Sequence, residues 1–153
     1  MSVFNPDLFE QTVIEQANET EYTPIPAAQY VAYIKDYKVR EVKRDGDDSS
    51  FVMDVFYSIQ DAALKASLDQ EEVIVKGNAW LDIDPSGSLA FGTNKNVQLG
   101  KLREAVLQNK SGEPWSPTML RGAGPVSISV TVDPSTKDGK VYNRVGAVVA
   151  YSQ

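Results

Sequence analysis

The side chains that could react covalently in this 153-residue chain are limited, because the sequence has no histidine and no cysteine. This excludes Ser-His-Asp and Cys-His nucleophile systems, zinc sites of cysteine and histidine, thiol redox chemistry and disulfides. The one carboxylate pair that can be assembled for a metal-dependent reaction is Asp54 with Asp82. The segment after Asp82 begins like a calcium loop, but Thr93 stands where that loop needs glutamate. We expect no enzymatic activity, no metal and no cofactor.

A second set of residues is suited to binding rather than reaction, since aromatic and basic side chains alternate along segments typical of strands. Side chains two positions apart share one face of a strand, so we expect Tyr33, Lys35 and Tyr37 to lie together. Sequence-tolerant binding of single strands uses aromatic rings that stack on bases beside cations that contact phosphates. The alternative is that these aromatic residues pack beneath the helices or the N-terminal arm. The candidate DNA-binding residues are Tyr33, Lys35, Tyr37, Lys38, Arg40, Lys43, Phe56, Lys76, Asn78, Trp80, Arg121, Tyr142 and Arg144.

The net charge of −6 argues against a nucleic-acid partner, but the charge is unevenly distributed. Residues 1–21 hold five acidic residues and no basic one, and residues 45–84 hold ten acidic residues and two lysines. Residues 30–44 hold five basic residues against two acidic ones, and residues 85–153 hold eight against four. The two basic segments could therefore share a face.

The elements that must position these residues follow from periodicity and turn signals. Alternation in the second strand places Phe51 and Met53 in the core and directs Phe56 outward; in the third, Trp80 and Lys76 are directed outward. The predicted helices span residues 5–17, 61–70 and 96–109, and the predicted strands span residues 29–42, 51–60, 72–83, 125–133 and 141–151.

This order predicts a mainly β protein: a five-stranded, OB-like Greek-key barrel with a helix between strands 3 and 4, preceded by a short acidic N-terminal helix. A five-stranded sandwich is the alternative architecture. The prolines of the segment 23–26 force an extended connector. We therefore divide the chain into an acidic arm, residues 1–26, and a β-barrel domain, residues 27–153.

Several segments resemble phage-encoded single-stranded DNA-binding proteins of the OB-fold type. The resemblance covers about residues 27–150 and is carried by the sequences IPAAQYVAYI, FVMDVFYSIQDAALKASL, NVQLGKLREAV, MLRGAGPVSISV and YNRVGAVV. It implies a viral protein of the host cytoplasm that coats single strands during DNA replication or recombination. Bacterial single-strand binders end in an acidic tail that binds partners, whereas here the acidic segment is at the N-terminus.

The acidic arm and the outer aromatic residues leave other roles open. Phe9 and Val13 make the arm more apolar than a solvated tail requires, which favours self-assembly or contact with a replication partner. No apolar run is long enough for a membrane span, so we expect a cytoplasmic protein without a membrane partner. Two functional alternatives remain: a virion structural or assembly domain, and a small acidic inhibitor of a host nucleic-acid enzyme.

Overall fold

The computed structural model describes residues 4–17, 23–43, 49–134 and 141–151. Its secondary structure agrees in order with the sequence prediction, although all three predicted helices are shorter than predicted. The elements are α1 (Pro6–Gln11), β1 (Ala28–Lys43), β2 (Ser49–Ile59), α2 (Ala62–Leu68), β3 (Ile74–Leu81), α3 (Val97–Ala105), a 3-10 turn (Pro117–Leu120), β4 (Val126–Pro134) and β5 (Val141–Ala150).

The protein is mainly β, with five antiparallel strands in one open sheet and a few short helices. The strand order is β3-β2-β1-β4-β5, so β3 and β5 form the two edges. These edges nevertheless approach each other: a Cβ atom placed on Gly77 of β3 would lie 3.3 Å from the Cβ of Val145 on β5. The sheet is thus strongly curled, which supports one enclosed core. Closure into a Greek-key barrel stays a prediction.

The core occupies the concave side of the sheet, as the alternation of apolar residues in β2 predicts. Met53, Val55, Tyr57 and Ile59 are all buried there, whereas Phe51 is only half-buried. Burial also raises the pKa of Tyr57, which keeps its phenol neutral. The other buried core residues are Ile25, Tyr30, Ala32, Ile34, Leu64, Val73, Val75, Ala79, Leu99, Leu102, Ala105, Leu120, Val126, Ile128 and Val130.

A β-bulge between Ile34 and Asp36 changes which residues of β1 share a face. Tyr33 pairs with Ser58 on the outer side, but Tyr37 pairs with Val55, a core residue. The expectation that Tyr33, Lys35 and Tyr37 lie on one face is therefore wrong. One extra residue in a strand reverses the alternation beyond it.

The N-terminal segment has a short helix that begins as predicted and contributes nothing to the core. Asn5 is the N-cap of α1, and its side-chain oxygen accepts from the backbone N–H groups of Asp7 and Leu8. No residue of α1 is buried, and Phe9 and Val13 are both exposed. Within the described ranges, no helix has the length and apolarity needed to cross a membrane.

Candidate functional site

The convex side of β1, β2 and β3 brings together most of the predicted binding residues, and we call it the outer face. Cross-strand pairing arranges its side chains in four rows. From one end to the other, the rows are Arg40–Val52–Trp80, Lys38–Asp54–Asn78, Asp36–Phe56–Lys76 and Tyr33–Ser58–Ile74.

Three aromatic residues cross the outer face on a diagonal, one from each strand. Trp80 and Tyr33 are each 40% exposed, and Phe56 between them is half-buried. With a rise of about 3.4 Å per residue and strands about 4.8 Å apart, Trp80 lies about 14 Å from Phe56, and Phe56 about 8 Å from Tyr33. The diagonal offers three separate rings to a chain lying across the strands.

Gly124 in the loop before β4 allows a close approach to Tyr33. Its φ of +132° lies in a region that favours glycine. A Cβ atom at this position would lie 3.2 Å from Cδ1 of Tyr33 and 3.2 Å from the carbonyl oxygen of Ala32. The ring of Tyr33 is therefore positioned against backbone rather than being fully solvated.

At the centre of the outer face, Asp54 is buried and shared between two neighbours. The Nε atom of Arg40 donates to its Oδ2 at 2.8 Å, and the amide nitrogen of Asn78, oriented as its neighbours require, donates to its Oδ1 at 3.0 Å. Val52 is also fully buried, because the large side chains of Arg40 and Trp80 flank it in the same row. The side chains of Arg40 and Asn78 are thus held in place by Asp54, which already accepts a hydrogen bond from each of them.

The carboxylates considered for a metal site do not converge. Asp54 bonds to Arg40, while Oδ2 of Asp82 accepts from the backbone N–H of Asn96 at 2.8 Å. Across the part of the chain that the structure describes, no three side chains of the metal-ligating kind are grouped together.

The candidate cations divide into paired and unpaired groups. Lys35 forms an ion pair with Glu72 at 2.7 Å, which lowers the pKa of that carboxyl. Lys38 and Lys76 on the outer face have no ion-pair partner among the described residues. Lys43 is exposed at the end of β1, and Arg44, the last residue of the basic segment 30–44, lies outside the described residues.

Arg121 is held beside the bulge of β1 by two contacts. Its Nε donates to Oδ1 of Asp36 at 2.8 Å, and its guanidinium carbon lies 4.7 Å from the ring centre of Tyr37. The hydrogen bond from Arg121, followed by that from the Tyr37 backbone N–H, lowers the pKa of Asp36, and the same pair raises the pKa of Arg121. Arg121 therefore bridges Asp36, which belongs to the outer face, and Tyr37, which packs against the core.

A cleft of about 860 Å³ separates β3 from β5, with α3 forming one wall. Lys76, Asn78 and Trp80 of β3 border it as well as the outer face, and Arg144 of β5 lines the opposite side. Tyr142 is exposed on the same side of β5 as Arg144 and does not line the cleft. The structure thus brings Arg144 near the β3 candidates and leaves Tyr142 apart.

The edge of β3 is held by side chains at the start of α3 that the sequence analysis did not identify. Oε1 of Gln98 accepts from the backbone N–H of Trp80 at 2.7 Å. Asn96 accepts from the N–H of Asp82 and donates to the carbonyls of Asp82 and Ala90. Asn96 is the N-cap of α3, but its side chain makes these contacts and no capping hydrogen bond.

Comparison with protein-family models found no match, and neither did comparison with curated proteins.

Proposed function

We propose that this protein binds single-stranded DNA with little sequence preference and without catalysis, in phage DNA replication or recombination in the host cytoplasm. Bases stack on Trp80, Phe56 and Tyr33, and phosphates contact lysines that border these rings. We further propose that the curled sheet represents an OB-type barrel in which β3 and β5 are the strands that meet.

The observation that supports the proposal is the combination of three accessible rings with two lysines that have no ion-pair partner in the described parts of the chain, all on one face. Stacking tolerates any sequence because every base has a π-face. Lys38 and Lys76 lie in the two middle rows, on either side of β2, where a strand following the aromatic diagonal would pass. The rings supply contact area, and the lysines supply attraction to the backbone.

Fluorescence titration tests the proposal, because the chain has two tryptophans in different settings. Trp80 is on the outer face, whereas Trp115 packs against the core, donates to Gln108 at 2.8 Å and lies beneath Arg103. We expect an oligothymidine of about 16 nucleotides, within the range of OB-fold site sizes, to quench emission of wild type and of Trp115→Phe. A duplex of the same length should quench neither.

The matched variant is Trp80→Phe, in which Trp115 is the remaining tryptophan. It should still bind, as measured by anisotropy of a labelled oligonucleotide, but with little quenching. Quenching that persists in Trp80→Phe and disappears in Trp115→Phe would refute the site. Absence of binding to any single strand by folded protein would refute the function and favour an assembly or inhibitor role.

A further inference from the structure

The cleft between β3 and β5 has features of a binding surface in its own right. Its floor is formed by core residues where the two edges meet, and its rim carries polar and basic side chains from three elements. A volume of about 860 Å³ lies in the range of pockets that enclose a small ligand. A short stretch of extended chain fits this space, and a double helix does not.

The charge of the rim is predominantly positive. Lys76 on β3, Lys101 on α3 and Arg144 on β5 line the cleft, and Glu104 is the acidic residue that also lines it. Lys101 is exposed and has no ion-pair partner among the described residues, and Arg144 lies 3.8 Å from Asp133 while remaining largely exposed. Three cations around one opening favour a polyanion.

Gln98 adds a neutral donor at the same rim. Its oxygen is occupied by the backbone N–H of Trp80, so the orientation of the amide is fixed. Its amide nitrogen has no acceptor among the described residues and lines the cleft beside Lys101, one helical turn further along α3. This arrangement provides a hydrogen-bond donor next to a positive charge, as phosphate oxygens require.

The cleft is continuous with the outer face, since Lys76, Asn78 and Trp80 border both. We propose that the cleft holds the sugar-phosphate backbone of a second segment of the same single strand, through Lys101, Arg144 and Gln98. This inference rests on the proposed function. The strand crosses the aromatic diagonal, passes over β3 at Trp80 and continues between β3 and β5.

Two lengths of oligothymidine test the inference, one of about 6 nucleotides for the outer face and one of about 16 nucleotides for both surfaces. The test variant is the double substitution Lys101→Gln and Arg144→Gln. We expect its affinity for the long oligonucleotide to fall about 25-fold in 0.1 M salt, and its salt slope to fall by about 1.4, for two lost phosphate contacts. Its affinity for the short oligonucleotide should equal that of wild type.

The matched control is Lys95→Gln with Lys110→Gln, which removes the same charge from positions that do not line the cleft. The inference is overturned if the test variant binds the long oligonucleotide like this control, or if it loses the same affinity for both lengths. Phe56→Ala separates the two proposals, because it should weaken both lengths. If Phe56→Ala has this effect and the cleft variant has none, the cleft inference fails while the proposed function stands. If wild type binds neither length, both fail.

Discussion

The outer face and the cleft share β3, but they differ in how their charges are arranged. On and beside the outer face, Lys35, Arg40 and Arg121 are each paired with an acidic side chain. Around the cleft, the basic residues outnumber the acidic ones, and Lys101 has no partner among the described residues. The net charge of −6 for the whole chain therefore does not indicate the local charge of either surface.

The two surfaces should therefore contribute differently to binding, the outer face mainly through bases and the cleft mainly through phosphates. The rings of the outer face attract bases through contact area, a contribution that salt changes little. Exposed cations around a cleft attract phosphates, a contribution that salt weakens steeply. Substitutions on the two surfaces should therefore be distinguishable by their dependence on salt as well as by their size.

The largest effect on binding is expected from Phe56→Ala, in the middle of the aromatic diagonal. Loss of one stacked base should reduce affinity by about 1–3 kcal/mol, or roughly 5- to 150-fold, at every salt concentration. The slope of log affinity against log salt should not change, because no charge is removed. Fluorescence anisotropy at several salt concentrations measures both quantities.

Phe91→Ala provides the control, since Phe91 is 85% exposed and lies outside the outer face. Its affinity should equal that of wild type. An equal loss in both variants would indicate a general effect of exposed aromatic area, and the contrast between the two surfaces would no longer hold.

Gly77→Ala is expected to lower the free energy of unfolding by about as much as Phe56→Ala lowers the free energy of binding. It tests how tightly side chains pack around Gly77 at the floor of the cleft. The new Cβ atom would lie 2.9 Å from Cε2 of the buried Tyr57 ring. Relief of this overlap requires movement of core side chains, so the free energy of unfolding should fall by about 1–3 kcal/mol. Urea denaturation measures the change.

Gly100→Ala is the matched substitution in α3, where no described residue beyond the adjacent helix backbone has an atom within 4 Å of the added atom. It should raise the free energy of unfolding by up to about 1 kcal/mol, because alanine favours the helix. A stability of Gly77→Ala equal to wild type would mean that the Tyr57 ring and Val145 lie further from Gly77 than the structure places them.

The positions of these two surfaces could be predicted only in part from the sequence. Period-2 alternation correctly predicts the side of the sheet that Met53, Val55 and Phe56 face in β2. It does the same for Lys76 and Trp80 in β3, because regular strands preserve the alternation. It failed at Tyr37, since nothing local marks the bulge after Ile34 that reverses the alternation.

Contacts between distant segments could not be predicted, because they depend on register. Asp54 meets Arg40 through the β1–β2 register, and Arg121 meets Asp36 across 85 positions of sequence. Gln98 and Lys101 could not be predicted from the alternation of aromatic and basic residues, because that pattern is a property of strands and both residues lie in α3. Their spacing of three, on a helix between two candidate strands, was the available signal.

A smaller effect should separate the paired and unpaired cations of the outer face. Lys38→Gln, on the outer face and away from the cleft, should lower the salt slope for a long oligonucleotide by about 0.7, the value for one phosphate contact of a single strand. Arg40→Gln should change it less, because the guanidinium already donates to Asp54. Parallel titrations of the two variants test this. Equal changes would show that Arg40 leaves Asp54 to contact DNA.

The smallest expected effect concerns the pair between Asp36 and Arg121. In Arg121→Gln the pKa of Asp36 should rise toward its ordinary value of 3.8, since the strongest hydrogen bond that lowers it is lost. In wild type the stabilisation from this pair is present above that ordinary pKa, and it is lost as the pH falls through the lowered pKa. Carboxyl NMR titration of both proteins measures the shift.

Glu72 is the internal control, because its pKa is lowered chiefly by Lys35 and should be the same in both proteins. An unchanged pKa for Asp36 would mean that Arg121 does not hold this carboxylate in solution. Arg121 would then resemble Lys38 and Lys76, which have no ion-pair partner within the ranges that the structure describes. The outer face would in that case attract phosphates much as the cleft does, and binding to both surfaces should depend on salt to a similar degree.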